Sequence, residues 1–404
     1  MTPKNKKLPA AEWHQRKSLK DLIAVLDGTG NMTRFVGGAV RDTLLGVPVK
    51  DIDLATILKP DAVMKRLEDA GIKVIPTGID HGTVTAVTTD GPVEITTLRR
   101  DVSTDGRRAT VAYSDDWQED AARRDFTINA LFADPETLEI YDYFGGLVDL
   151  ENHQIRFIGS AAQRIAEDHL RIMRYFRFLA RLGQHNVDQD TFDACRKAAR
   201  ELAKLSRERV ADELIKLLGA SDPVYAVQEM IQADIFANIV AEIDPDAGEI
   251  LATLNLREEA HDISPDPLRR LVGLLPKDVD KAINIVTGLK LSKKTRRAVA
   301  SRLVAPDPTA SDILPLAYHH GADAARDMAL LFAADDTLAD CLVQLDGWDK
   351  PVLPMTGGDL IAMGLKPGPV VAETLERIER QWIREGFPGE DRARSIAREL
   401  ILPT

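Results

Sequence analysis

The sequence predicts an α+β protein, in which a mixed sheet with helices is followed by an all-helical region. β-branched runs bounded by Gly or Pro, which are typical of strands, fall within the first 160 residues. From Ser160 onward the apolar residues recur at helical spacing, and prolines separate the segments. A chain of 404 residues is also too long for one ordinary core. We therefore expect two or more domains, with a boundary near residue 155.

The N-terminal part alternates between predicted helices and strands. A leading helix is expected over 11–30, because Leu19, Leu22 and Leu26 share one face. Further helices are predicted over 39–45, 61–70 and 119–132. One predicted strand ends at Val36, and a second contains residues 51–53. The other predicted strands cover 73–76, 83–88, 93–98, 139–143 and 154–158. The segment 99–118 is polar, contains Gly and lacks periodicity, which predicts a mobile loop over the site. A long helix is expected over 167–178.

Charge and cysteine content limit the function classes. The formal net charge of −12 argues against a general nucleic-acid-binding surface, although arginines concentrate between Arg156 and Arg209 and predict a local basic face. The chain has no run of about 18 apolar residues, which predicts no membrane span. Cys195 and Cys341 form neither a CxxC pair nor a disulfide framework, so we expect reduced, buried thiols in a cytoplasmic protein.

The central motif is a pair of acids, Asp51 and Asp53, one residue apart in a short apolar run. In a strand they point the same way, and two neighbouring carboxylates repel each other unless a cation compensates them. Mg²⁺ prefers such oxygen ligands. A solvated turn is the alternative interpretation. Glu94 alternates with Val93 and Ile95 on a predicted neighbouring strand, so it is either a third acid of the site or an exposed strand residue.

A glycine turn precedes this pair and favours the metal interpretation. Gly37 and Gly38 follow a predicted strand and open a predicted helix that carries Arg41. Such a turn exposes backbone N–H groups to an anion. Metal ligands beside a phosphate cradle predict nucleotide chemistry, in which a hydroxyl attacks an α-phosphate.

Two later segments supply candidate nucleotide contacts. In RRDFTINA (123–130), Arg124 and Asn129 are available for triphosphate and ribose, while the apolar residues pack inward. In EDHLRIMRYFRF (167–178), Asp168 and Arg171 are three residues apart and share a helix face. A carboxylate beside a guanidinium matches the base edge of C or A and rejects G and U.

The second segment also has a simpler interpretation. Glu167 and Arg171 are four residues apart and can form an ordinary helix ion pair worth about 0.3–0.5 kcal/mol. Arg174 and Arg177 can face the triphosphate. His81, at a turn, is expected to hold the loop or touch the nucleotide. His261-Asp262 and His319-His320 lack the further ligands of a metal site, so we expect ordinary helix or loop residues.

The ordered set of motifs resembles the class II tRNA nucleotidyltransferase and poly(A) polymerase family of the polymerase-β superfamily. The motifs are GGAVRD (37–42), DID (51–53), HGTV (81–84), VEITTLR (93–99), RRDFTINAL (123–131), YDYFGGLVDL (141–150) and EDHLRIMRYFRF (167–178). The resemblance implies a polymerase-β-like palm followed by a helical neck, body and tail. The implied domains are an extension at 1–30, a head at 31–155, a neck at 156–220 and a tRNA-binding body and tail at 221–404.

The resemblance also implies roles for individual residues. Asp51 and Asp53 would hold Mg²⁺, and Asp168 with Arg171 would select C and then A. The other implied or candidate site residues are Gly37, Gly38, Arg41, Glu94, Arg124, Asn129, Arg174 and Arg177. The implied partners are the tRNA 3′ end, with CTP and ATP as substrates, and neither DNA nor a membrane. The segment from Arg392 to Thr404 is short and weakly basic, which favours CCA addition over processive tailing.

The sequence is also compatible with three other functions. The first is poly(A) polymerase, or an enzyme that adds only CC or only A. The second is a catalytically silent RNA-binding module that uses the arginine-rich neck. The third is transfer of a nucleotide to a small molecule, which leaves the long helical region unexplained.

Overall fold

The computed structural model describes residues 6–27, 30–105, 108–182, 187–240, 242–243, 246–305 and 307–401, without the side chains of 101–111. The chain divides into two compact units, Met1–Ala241 and Glu242–Thr404. The first unit contains the described strands, and the second is helical. The predicted fold class is therefore confirmed. The finer division into head, neck, body and tail stays a prediction.

A mixed sheet forms the centre of the first unit. The described strands of this unit are β1 Thr33–Val36, β2 Ile52–Thr56, β3 Lys73–Gly78, β4 Thr83–Thr88, β5 Gly91–Thr97, β6 Arg99–Asp105, β7 Arg108–Tyr113, β8 Leu131–Ala133 and β9 Ile140–Asp142. Within the described residues the sheet has seven strands in the order β3-β4-β5-β2-β1-β8-β9. β2 and β5 run parallel, and the other neighbours run antiparallel. A separate hairpin pairs β6 with β7.

Helices of the first unit cover the sheet and continue beyond it. They are α1 Glu12–Gln15, α2 Lys17–Asp27, α3 Gly38–Leu44, α4 Pro60–Asp69, α5 Trp117–Ala122, α6 Gly146–Glu151, α7 Ala161–Glu167, α8 Leu170–Leu182, α9 Gln189–Ala198, α10 Arg207–Leu218 and α11 Val224–Gln232. Helix α8 buries one face, which includes Ile172, Phe176 and Leu179, and its arginines lie on the other. This division follows from apolar residues at helical spacing.

The second unit packs its helices around apolar residues such as Trp382, Ile378 and Leu360. Its helices are α12 Ala247–Ala260, α13 Pro267–Leu274, α14 Val279–Gly288, α15 Lys293–Arg302, α16 Ile313–His320, α17 Ala322–Phe332, α18 Asp335–Leu345, α19 Gly357–Ala362, α20 Pro369–Arg384 and α21 Glu390–Ile401. Across the described ranges of both units, no helix combines the length and the apolar character needed to cross a membrane.

The predicted loop over 99–118 is wrong for most of its length. Strands β6 and β7 pair antiparallel, from Arg99 opposite Tyr113 to Asp105 opposite Arg108. The segment is polar, but Val102, Thr104, Thr110 and Val111 are β-branched, and an antiparallel hairpin tolerates a solvated face. The β-branched residues, rather than the polarity of the segment, therefore indicate its structure.

Three other predicted elements in this part are corrected. The helix expected over 119–132 ends at Ala122, and after a short 3₁₀ turn at Thr127–Asn129 the chain supplies β8, which pairs with β1 at Val36 and Phe132. Sheet pairing thus overrides the helical pattern. The strand expected over 154–158 is reduced to one bridge between Phe126 and Phe157. The helix expected over 11–30 is interrupted at Arg16.

The long helix expected over 167–178 is broken at Asp168. Helix α7 ends at Glu167, Asp168 is extended with φ −152° and ψ 106°, and α8 begins at Leu170. The Asp168 carboxylate accepts a hydrogen bond of 3.1 Å from the backbone N–H of Leu170. Asp is favoured at such helix starts because its side chain satisfies an otherwise unpaired N–H.

Candidate active site

The acidic part of the candidate site lies on β2 and β5. These parallel strands place Asp53 directly opposite Glu94, and paired residues project from the same face of a sheet. Asp51 comes one residue before β2. Asp51 and Glu94 are exposed, and Asp53 is partly buried. Burial raises the pKa of Asp53 to about 6, with further increases from Glu94 and Asp51 and an opposing effect of Arg124.

These carboxylates suit a divalent cation that binds together with a nucleotide. Within the described residues, Asp51, Asp53 and Glu94 have no ion pair or side-chain hydrogen bond. The described part of the chain contains no group of three His, Cys, Asp or Glu side chains that could hold a metal ion unaided. Mg²⁺ is usually held by one or two carboxylates, with substrate phosphates and water completing its shell. The donor set therefore fits Mg²⁺ and leaves coordination positions for substrate.

The glycine turn lies next to the predicted arginines. Gly37 has φ +68°, a conformation that residues with a Cβ rarely adopt, and its carbonyl accepts the first backbone hydrogen bond of α3 from Arg41. A Cβ on Gly37 would lie 3.5 Å from Nη1 of Arg124, and one on Gly38 would lie 3.7 Å from Nη2 of Arg41. The turn and both guanidinium groups thus surround one space.

A chain of polar contacts runs from this turn to helix α8. Arg41, which is 6% exposed, donates through Nη1 to Oδ1 of Asn129. Asn129 donates through Nδ2 to Oδ1 of Asp125 at 3.0 Å, and Arg174 donates through Nε to Oδ2 of Asp125 at 2.7 Å. Burial alone would raise the pKa of Asp125, but Arg174 and the hydrogen bonds outweigh it and lower the pKa to about 2. Asp125 therefore stays ionised and holds both neighbours in place.

The other arginines near the site are also held by acids of the same unit. Arg124 donates through Nη2 to Asp120 at 3.0 Å, and its guanidinium lies 5.2 Å from the centre of the Phe132 ring. Nε of Arg177 lies 2.8 Å from Oε2 of Glu213. Each arginine is consequently oriented before any ligand arrives, which reduces the entropy lost on binding.

Asp168 and Arg171 both lie at the junction of α7 and α8, but each has another partner. Arg171 donates through Nη1 to Glu167 at 2.6 Å, which is the ion pair of the simpler interpretation. Asp168 accepts from Nη2 of Arg209 at 2.8 Å. In the described residues, Nε and Nη2 of Arg171 have no hydrogen bond. A carboxylate has about four acceptor positions. Both groups therefore retain capacity for a base edge.

The structure thus brings most of the predicted residues together in one unit. Sequence reasoning missed the acids that hold the arginines, namely Asp42, Asp120, Asp125 and Glu213. Asp42 also pairs with Arg181 at 2.9 Å, which links α3 to α8. Asp42 directly follows Arg41, and Asp120 precedes Arg124 by four residues, so local spacing was a usable signal for these two acids. Asp125 holds Arg174, 49 residues away, and had no such signal. Glu213 belongs to no quoted motif, so the sequence contained no comparable signal for it.

The histidines named in the sequence analysis lie at the ends of helices or turns. His81 ends a short 3₁₀ turn at Ile79–His81, before β4. His261 follows the end of α12, and His319 and His320 end α16. Within the described ranges none of them belongs to a group that could hold a metal.

Two family models match parts of this chain. The model of the poly A polymerase head domain matches residues 33–156, and the model described as a probable RNA and SrmB-binding site of polymerase A matches residues 186–246. Mitochondrial CCA tRNA nucleotidyltransferase 1 of Mus musculus is 33% identical over 92% of this chain and 87% of its own length. The CCA-adding enzyme of Streptococcus thermophilus is 32% identical over 89% of this chain and 90% of its own.

The chain belongs to the class II CCA-adding enzyme and poly(A) polymerase head family. A solved structure of the Bacillus stearothermophilus CCA-adding enzyme in complex with CTP superposes with a TM-score of 0.72, at 26% identity, over 96% of this chain and 98% of that one. The family predicted from the motif order is therefore confirmed, and the chain is a nucleotidyltransferase. Nucleotidyltransferases of this polymerase-β type generally use divalent metals.

Proposed function

We propose that this protein is a template-independent CCA tRNA nucleotidyltransferase, which adds C, C and A to tRNA 3′ ends from CTP and ATP and releases pyrophosphate. The observation that carries the proposal is the juxtaposition of Asp53 and Glu94 with the Arg41, Arg124 and Asn129 cluster around Gly37. The relatives support it, because a CCA-adding activity is named for proteins that match nearly the whole chain. We also propose a cytoplasmic location, which the buried free thiols of Cys195 and Cys341 support.

In the proposed reaction the acids bind the metal and the arginines bind the nucleotide phosphates. Asp51 and Asp53 would hold Mg²⁺, with Glu94 beside them as a third acid. When bound, the metal stabilises charge on the reacting phosphate and lowers the pKa of the attacking hydroxyl. Arg41 and Arg124 would bind phosphate oxygens of the nucleotide. The 3′-hydroxyl of the RNA then attacks the α-phosphate of CTP or ATP, the bond to the β-phosphate breaks, and pyrophosphate leaves.

We further propose that residues at the junction of α7 and α8 select the nucleotide. Asp168 would accept the amino hydrogens of C or A, and Arg171 would donate to ring acceptors through the nitrogens that Glu167 does not use. Arg174 and Arg177 would face the triphosphate, while Asp125 and Glu213 hold their guanidinium groups. G and U present the opposite donor and acceptor pattern, so the same pair disfavours them.

The direct test uses tRNA that ends before CCA, with labelled CTP and ATP and with Mg²⁺. We expect an extension of three nucleotides that depends on both nucleotides. Extension by CC alone or by A alone would identify a partial enzyme, and a long A-tail on any RNA would identify a poly(A) polymerase. Binding of tRNA without incorporation, unaltered by Asp51→Ala, would identify a non-catalytic RNA-binding module.

A further inference from the structure

A basic segment of the second unit stands apart from the acidic remainder of the chain. Between residues 281 and 306 there are seven Lys or Arg residues and no Asp or Glu. At the average frequency of 64 acids in 404 residues, such a segment would hold about four. Helix α15 carries most of this charge, and in the described residues neither Lys294 nor Arg297 has an ion pair or a side-chain hydrogen bond.

These two cations line a groove. The groove has a volume of about 540 Å³ and lies between α15 and the connection from α16 to α17. Lys294, Arg297 and Ser301 follow one another at spacings of three and four residues, so they share one face of α15. His319 and His320 line the opposite side, and all four basic side chains are exposed. The groove therefore presents a row of donors to solvent.

The remaining charges of the groove are neutralised within the unit. Arg302 donates to Oδ2 of Asp327 at 2.7 Å, which ties α15 to α17. Asp323 accepts from Arg326 at 3.2 Å. Burial lowers the pKa of His320, with a further decrease from His319, so its imidazole is neutral at neutral pH and has one N–H to donate. The unpaired charge of the groove is thus that of Lys294 and Arg297.

We propose that the groove lined by Lys294, Arg297, His319 and His320 binds the phosphodiester backbone of the tRNA substrate. This inference rests on the proposed function, because the tRNA is the polyanion that the enzyme must hold. Within the described residues, Lys294 and Arg297 are cations without an ion pair, three residues apart on one helix face, and the imidazoles of His319 and His320 lie across the groove. The Ser301 hydroxyl donates to the carbonyl of Ala298 at 2.9 Å, so the donors left for a ligand are the two cations and the imidazoles. This set matches phosphate oxygens rather than a base edge. The contact is expected to add affinity without sequence preference.

The test compares two charge-reversed double variants of the same helical region. K294E/R297E alters the groove, whereas K281E/K293E makes the same change in net charge at exposed residues that do not line it. Binding of tRNA lacking CCA is measured by fluorescence anisotropy between 50 and 300 mM salt. We expect K294E/R297E to raise Kd about tenfold or more and to reduce the slope of log K against log salt by about 2. The control should shift Kd less than about twofold.

Further measurements keep the interpretation specific. CTP and pyrophosphate binding should be equal in both variants, and the loss of kcat/KM should appear with tRNA as the varied substrate. If K294E/R297E unfolds at a lower temperature than the control, K294Q/R297Q replaces it and must still reduce the salt slope. Equal tRNA affinity in groove and control variants overturns the proposal. So does a selective loss of CTP or pyrophosphate binding, which would assign the groove to those ligands.

The outcome also separates this inference from the proposed function. A wild-type protein that incorporates no nucleotide but binds tRNA through the groove would contradict the proposed function alone. Incorporation by the wild type together with identical tRNA affinity of the two variants would contradict the groove alone.

Discussion

The acids of the sheet and the arginines around them are held in opposite ways. In the described residues, Asp51, Asp53 and Glu94 have no cation partner, and burial raises the pKa of Asp53. The arginines, by contrast, pair with acids of the same unit: Arg41 with Asp42, Arg124 with Asp120, Arg171 with Glu167, Arg174 with Asp125, and Arg177 with Glu213.

This difference indicates two functions for charge in one site. Carboxylates without a counter-ion are destabilising until an external cation binds, so they are suited to a metal. Arginines that are already oriented by acids lose little entropy when an anion reaches their remaining N–H groups. Four predictions test this contrast, beginning with the largest expected effect.

The first prediction concerns the unpaired acids. Asp53→Asn should lower the rate of CMP incorporation about 1,000-fold, because it removes a metal ligand, while it raises the free energy of unfolding at pH 8 by about 1–3 kcal/mol. The stability gain follows because Asp53, with its raised pKa, is a destabilising charge in the folded state. Primer extension and thermal melts measure the two quantities. Asp80→Asn, on an exposed turn, is the control. A lower free energy of unfolding for Asp53→Asn than for the wild type would contradict the statement that the Asp53 carboxylate is a destabilising charge.

The second prediction concerns a paired acid. Asp125 has a pKa of about 2 when folded and an ordinary value near 3.8 when unfolded, so its stabilising contribution is complete above pH 4 and is lost as the pH falls toward 2. Asp125→Asn should therefore lower the free energy of unfolding by about 2 kcal/mol at pH 7. The difference from wild type should shrink in denaturant titrations at pH 3. A constant difference across that range would count against an ionised, paired Asp125.

The third prediction concerns nucleotide choice. Arg171→Ala and Asp168→Ala should each reduce discrimination against GTP and UTP about tenfold, because each removes half of the base-edge match. Competition assays with mixed nucleotides give the ratio of kcat/KM values. Glu167→Gln is the matched control, since it removes the Glu167–Arg171 pair and keeps the guanidinium. If Glu167→Gln and Arg171→Ala behave alike, Arg171 serves the helix junction rather than the base.

The smallest expected effect is at the glycine turn. Gly37→Ala should cost about 1 kcal/mol of stability, because φ is +68° and L-residues are disfavoured there. The added methyl group lies 3.5 Å from Nη1 of Arg124, an ordinary contact, so the KM for CTP should change by no more than about threefold. Gly30→Ala, at φ +83° with open space around it, is the control. A much larger KM change in Gly37→Ala alone would place the backbone itself against the nucleotide.

Much of the site was accessible from sequence because its signals are local. The spacing of Asp51 and Asp53, the Gly37 turn and the strand carrying Glu94 each depend on a few consecutive residues, and the order of motifs indicated the family. The break at Asp168 was also locally encoded, since Asp favours helix starts, but the helical pattern on both sides concealed it. The β6–β7 hairpin was not predicted, because the polarity of the segment concealed the strand preference of its β-branched residues.

The sequence by itself determined the fold class, the acidic pair and the glycine turn. The pairs Glu167–Arg171 and Asp120–Arg124 follow from a spacing of four residues, whereas tertiary structure alone decided the long-range pairs. Asp125 and Arg174 are 49 residues apart, and Asp42 and Arg181 are separated by the whole sheet region between α3 and α8. An ion pair depends on the distance between two charges in space, which the packing of α8 sets and which no local spacing encodes.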